Sequence, residues 1–198
     1  MTMSEMMRGI IQTVRDNRQR FEAFCRSLSQ EELSRPAPDS TWVVKDFVSH
    51  LATLDPTLVL SFEATAAGRP EDATRNPDGS PFDLDALNEA LVVERREWPL
   101  ERILEEASAN RAALIDSMER LSDEDIAQVM HFTGDAKRSP AQLPLRVFML
   151  GWAHHDTIHA ADMLRALPER ATDAELAAWV DGPMVKAYQA AMSGPPRR

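Results

Sequence analysis

One cysteine, three lysines (Lys45, Lys137 and Lys186) and seven glycines are all that a chain of 198 residues contains of these types. The lone Cys25 excludes an intrachain disulfide and suits a reducing compartment. Basic side chains are outnumbered, with 22 Lys+Arg against 32 Asp+Glu, and the formal net charge of -10 repels a polyphosphate backbone. With no local basic patch to offset it, no nucleic-acid partner is expected. No stretch approaches the roughly 20 apolar residues of a bilayer span. Met1-Thr2-Met3-Ser4-Glu5 lacks the basic flank and apolar segment of a secretion signal, so the expectation is a soluble cytoplasmic protein without membrane attachment. No low-complexity tract divides the chain, and its length suits a single domain over residues 1–198. No segment alternates convincingly with period two, so no strand is expected.

What is present is helical periodicity. Met7, Ile10, Ile11, Val14, Phe21, Phe24 and Leu28 form one apolar stripe over residues 4–28, with Arg15, Asp16, Arg18 and Glu22 largely outside it. Cys25 lies on the stripe and reads as a small core residue. Ser29-Gln30-Glu31-Glu32 matches a capping box and opens a short turn before the loop Arg35-Pro36-Ala37-Pro38. A second long helix runs from 41–44 to 67 with Val43, Phe47, His50, Leu51, Leu54 and Leu58 inward, and Pro56 should kink it.

Residues 68–82 turn to Gly, Pro, Asn, Asp and Arg, a long loop of the kind that covers the mouth of a site. Asp83 is a good N-cap for a helix with Leu84, Leu87 and Leu91, and Asn88 beside that face reads as a satisfied structural amide. Pro99 suits the first turn of a helix carrying Leu100, Leu104, Ala107, Arg111, Leu114, Met118 and Leu121. Arg111 interrupts that stripe. Its ordinary role is an edge arginine with a buried stem and a solvated head, and its speculative role is an anion contact for a substrate or cosubstrate carboxylate.

Leu121-Ser122-Asp123-Glu124-Asp125 then echoes Leu28-Ser29-Gln30-Glu31-Glu32, so the chain reads as two related helix pairs. A loop over 130–144 holds His131, and a helix over 145–167 follows. Thr172-Asp173-Ala174-Glu175 reads as a further capping box, starting a final helix bent at Gly182-Pro183. The fold class is all-α, a four-helix bundle with an additional C-terminal helix.

Within 145–167 lies His154-His155-Asp156-Thr157-Ile158-His159. Residues four apart share a helical face, so His155 and His159 can aim two imidazoles at one point. Both lie on the side of Leu145, Phe148, Met149, Trp152, Met163, Leu164 and Leu167, and point inward; His154 falls on the flank. His50 is a third inward histidine from the matching helix of the other half. Three imidazoles suit zinc or a similar first-row ion and leave a position for water or substrate, as in a catalytic site. The plainer alternative is core histidines bonded to carbonyls or carboxylates. Asp156 and Asp162, each three residues from His159, read as a solvated face or as acceptors for a ring N–H.

Trp42-Val43-Val44-Lys45-Asp46-Phe47-Val48-Ser49-His50-Leu51 resembles the Trp, x, Val, Lys/Arg, Asp, hydrophobic, His-Leu signature of the DinB/YfiT-like superfamily, and His155-Asp156-Thr157-Ile158-His159 resembles its later His-x-x-x-His. The likeness covers nearly the whole chain, including the Leu-Ser-acidic turns and Leu87-Asn88-Glu89. It implies a four-helix bundle with a nickel- or zinc-type site at His50, His155 and His159, and frequent homodimers. It also implies thiol-dependent S-transfer or isomerisation with mycothiol or bacillithiol, or hydrolase-like detoxification. The mycothiol-dependent maleylpyruvate isomerase branch usually carries Glu where this chain has His155. The expected function is therefore a metal-dependent S-transferase, isomerase or hydrolase acting on a small molecule. The alternative is a non-enzymatic small-molecule-binding or dimerisation module with a structural metal or structural histidines.

Overall fold

The computed structural model describes residues 4–70, 83–132 and 140–192. Most of the loop expected over 68–82, the middle of the second loop and the tail from 193 lie outside the described residues.

Helix α1 (Glu5–Arg26) starts where Ser4 accepts from the Met7 amide, and it buries the expected stripe. The short α2 (Gln30–Leu33) has the expected capping box, with Ser29 and Glu32 each bonded to the other's backbone amide. The expected second helix is two helices, α3 (Val44–Thr53) and α4 (Asp55–Ala66), meeting at Leu54. Pro56 has no N–H to continue the ladder of α3, and it suits the first turn of a new helix. Next come α5 (Leu84–Arg95), capped by Asp83, then α6 (Leu100–Arg120) and the short α7 (Asp123–Ala127), which has a capping box from Ser122 and Asp125.

The loop expected over 130–144 contains a hairpin instead. Strand β1 (Val129–Phe132) pairs antiparallel with β2 (Ala141–Pro144), and His131 is opposite Gln142. Four residues per strand are too few for alternation to be visible, and the pairing is held by packing against α4 and α8. The helix expected over 145–167 also divides, into α8 (Leu145–Trp152) and α9 (His155–Ala166), with Ala153 and His154 at the break. A 3-10 turn (Arg170–Thr172) leads to α10 (Ala174–Val180) and α11 (Pro183–Met192). At α10 the cap is Asp173 rather than Thr172, accepting from the amides of Glu175 and Leu176.

Four helical columns close into a bundle in which α1 packs on α6, α6 on α3 and α4, α3 on α9, and α9 on α1. Its interior holds two main apolar clusters. One gathers Phe21, Phe24, Val48, Leu51, Leu104, Ala107 and Met163; the other gathers Met7, Ile11, Val14, Leu58, Phe62, Leu114 and Met149.

Between these clusters runs a charged layer with one residue from each column: Arg18, Asp55, Arg111 and Asp156, all buried. Arg18 was expected largely outside the stripe, yet its Nη2 donates to Asp156 at 3.0 Å and to the Leu51 carbonyl at 3.2 Å. Both helix breaks fall at this level. Asp55 and Asp156 open the new helices there, where the positive end of the helix dipole favours a carboxylate.

Candidate metal centre

The Trp42 to Leu51 stretch places the first histidine. Asp46 accepts from the Val43 amide at 3.0 Å, which fixes where α3 begins and therefore which face His50 occupies. Trp42 donates through Nε1 to Glu89 of α5 at 2.9 Å, and its ring lies 5.1 Å from the His50 ring. Lys45 donates to the Arg96 carbonyl at 2.8 Å, tying α3 to the end of α5. The motif is thus mostly a scaffold that sets one imidazole.

His155 and His159 come from the first turns of α9. Their Nε2 atoms are 3.1 Å apart. The ring of His50 stands 4.9 Å from that of His159 and 5.6 Å from that of His155, and one nitrogen from each of the three falls within 4.8 Å of the others. His159 Nδ1 lies 3.0 Å from Asp162 Oδ2, so Asp162 orients this ring and leaves Nε2 facing His155. Asp162 is therefore an acceptor for a ring N–H, whereas Asp156 belongs to the buried charged layer. His154 sits at the helix break, off the cluster, as its flank position implied.

Trp152, one turn before His155, stacks on it with ring centroids 4.0 Å apart, and its Nε1 donates to Asp55 at 3.4 Å. The second observation links the histidines to the charged layer. His50 and His155 are both pushed well below the ordinary histidine range, first by burial and then by neighbouring cationic or titrating groups, so they are neutral at pH 7. Each also has a buried Nδ1 without a hydrogen-bond partner among the described residues.

Arg111 is not at an anion contact. Its Nε donates to Asp55 at 2.6 Å and its Nη2 to Asp156 at 3.2 Å, with the side chain 3% exposed, so neither a solvated head nor a ligand carboxylate is accommodated. Cys25 is sealed in the core, where burial pushes its thiol far above the ordinary range and out of use as a nucleophile.

The three histidines stand on the wall of a cavity of about 1300 Å³, which also takes in Trp42, Phe47, Trp152 and Asn88. Tyr188 of α11 completes one side, its ring 6.5 Å from that of His159. Trp152 and Asp162 could have been found from their helical spacing to the histidines. Tyr188 and the fit of α5 against Trp42 had no local signal, because they depend on how distant elements dock.

No curated protein matches the sequence. Among solved structures, YfiT from Bacillus subtilis, described as a probable metal-dependent hydrolase with an unusual four-helix bundle topology, superposes with a TM-score of 0.63 at 15% identity, covering 84% of this chain and 91% of that one. The mycothiol-dependent maleylpyruvate isomerase superposes with a TM-score of 0.60 at 11% identity, covering 79% of this chain. This chain spans only 60% of the isomerase's length. At such identities the likeness is one of fold, a four-helix bundle. The family model of the DinB superfamily matches residues 13–163, which hold all three histidines, and the chain belongs to that superfamily.

Proposed function

We propose that this protein is a cytoplasmic divalent-metal-dependent enzyme acting on a small molecule, with His50, His155 and His159 as the ligands of one zinc or nickel ion. The observation that carries the reading is the 3.1 Å separation of the His155 and His159 Nε2 atoms. Nitrogen ligands about 2.0–2.1 Å from a tetrahedral ion lie roughly 3.3 Å from each other, so this edge is already at ligand spacing. Burial also holds His50 and His155 neutral, the state in which an imidazole ligates a metal.

A bound ion would supply a Lewis acid that lowers the pKa of a water or thiol at its open position. The chain's own residues prepare that position. Asp162 holds the His159 ring, Trp152 stacks on His155, and Trp42 and Phe47 pack against the rings of His50 and His159. With Cys25 sealed away, the chain offers no thiol of its own, and the nucleophile of this reading is water or a low-molecular-weight thiol of the mycothiol or bacillithiol type. Hydrolysis and thiol-dependent S-transfer or isomerisation are the reactions that follow; YfiT as a probable metal-dependent hydrolase supports the first, and the mycothiol-dependent isomerase supports thiol-dependent isomerisation. We further propose a homodimer, for which exposed Leu60, Val147 and Leu150 offer apolar surface.

Elemental analysis of protein purified without a metal-affinity tag, beside a His155→Ala/His159→Ala variant, tests the site. About one equivalent in the native chain and none in the variant is expected; equal substoichiometric metal in both sinks the reading. Metal-dependent conjugation of a thiol to a model electrophile, or hydrolysis of a model ester or amide, tests the chemistry. A second reading is a non-enzymatic module whose metal only stabilises the bundle. It is favoured by the burial of His50 and His159 in the bundle interior, where one ion would cross-link α3 and α9. It predicts that metal removal lowers the melting temperature while no turnover occurs.

A further inference from the structure

His155 opens α9 directly after the break at Ala153-His154, so the aim of its ring depends on how that break is held. The α9 ladder begins with the Ile158 amide donating to the His154 carbonyl at 2.9 Å, which leaves the Ala153 carbonyl, one residue earlier, outside it. Ala153 is buried, and a carbonyl unpaired in the interior is costly. Asn17 of α1 supplies the donor. Its Nδ2 donates to the Ala153 carbonyl at 2.7 Å, and its Oδ1 accepts from the Trp179 indole of α10 at 3.0 Å. Asn17 is itself buried, and with both ends of the amide engaged its orientation is fixed. The pinned segment separates two stacked rings, Trp152 and His155, with centroids 4.0 Å apart. A turn of that segment changes both the stack and the 3.1 Å spacing of the His155 and His159 Nε2 atoms.

Resting on the reading of the three histidines as one ligand set, we propose that Asn17 is a positioning residue that pins the Ala153 carbonyl and so sets the aim of His155 towards His50 and His159, with Trp179 locking its amide. It acts on the site through one backbone carbonyl. The C-terminal arm is thereby tied to the metal ligands.

Asn17→Leu, close in size but without donor or acceptor, and Trp179→Phe test this. Metal-free protein gives two NMR readouts: the NOE between the Trp152 and His155 rings, and amide hydrogen exchange at Ile158 and His159 beside Leu114 and Ile115 of α6. Asn17→Leu should weaken the NOE and speed exchange at the start of α9 by about ten-fold more than in α6, whereas a residue that only supports the core would speed both alike. Trp179→Phe should act in the same direction to a smaller extent. Should Asn17→Leu fail to fold, Trp179→Phe decides, and no change at the start of α9 then overturns the proposal. Chelator competition with cobalt(II) reads the ligand set, with about ten-fold weaker binding expected in Asn17→Leu than in the parent. A parent that binds no cobalt defeats the metal reading alone, and the metal-free readouts still decide on Asn17. An unchanged ring NOE, exchange that rises equally in α6 and α9, or equal cobalt affinity in the parent and Asn17→Leu would each overturn the proposal.

Discussion

Arg111 and Asp162 show how a single side chain takes its role from what stands opposite. The guanidinium of Arg111 bridges Asp55 and Asp156 with almost no exposure. Replacing it with Met leaves the buried Asp55 carboxylate without its cation and Asp156 with Arg18 alone. A loss of about 3–5 kcal/mol is expected, read from urea denaturation. Replacing Asp55 with Leu in the same chain should recover part of that loss, since a buried pair removed together costs less than one partner removed alone. Asp162 acts on His159 from outside the proposed ligand set. Asp162→Asn should weaken metal binding by about 10–100-fold, measured by competition with a chromophoric chelator, while the metal-free protein melts within a few degrees of the parent. In sequence Asp156 and Asp162 are equivalent, each three residues from His159. Only the neighbouring columns separate them: α1 and α6 bring two arginines to Asp156, while Asp162 keeps the imidazole of its own helix.

Elements were legible where periodicity is long and caps are local. The extents of α1, α5 and α6 and the capping boxes at Ser29 and Ser122 follow from stripes and from residues within four positions of one another. The breaks at Leu54 and at Ala153-His154 were not legible to the same degree. A proline signals the first, but the second has no proline and reflects the charged layer at that level. The hairpin of β1 and β2 was missed because its stability comes from α4 and α8 rather than from its own pattern.

The arm that carries α10 is anchored at Glu32, whose carboxylate takes bonds from Arg170 at 2.6 and 3.0 Å. The Arg170 guanidinium and, secondly, the Ser29 amide pull this carboxyl down to about 2 from an ordinary 4.5. A depressed carboxyl stabilises the fold above its unfolded pKa and loses that contribution as pH falls from about 4.5 towards 2. Glu32→Gln should cost about 1–2 kcal/mol at neutral pH and flatten that part of the acid limb, as followed by urea midpoints across pH.

At the scale of the molecule, two histidines held neutral in the interior make stability depend on pH. The unfolded chain protonates them near 6.5 and the folded chain does so only well below that, so U binds more protons than N over the intervening range. Stability of the metal-free protein is therefore full above about pH 7 and falls as pH drops below 6.5, with a limiting slope of about 2.7 kcal/mol per pH unit for two protons. Denaturant midpoints at pH 7.5 and 5.5 measure it, and replacing His50 and His155 with Gln should flatten the difference.

The helical columns, their inward faces and the pairing of His155 with His159 were written in local spacing, because a helix puts every third or fourth residue on one side whatever surrounds it; His50 was joined to the pair by its inward position and the family resemblance. The charged layer, the partner of Arg111, the bond from Asn17 to Ala153 and the closing of the cavity by Tyr188 were decided only in three dimensions. Each depends on which atom of a distant column stands within hydrogen-bond reach, and a spacing rule along one column carries no such information.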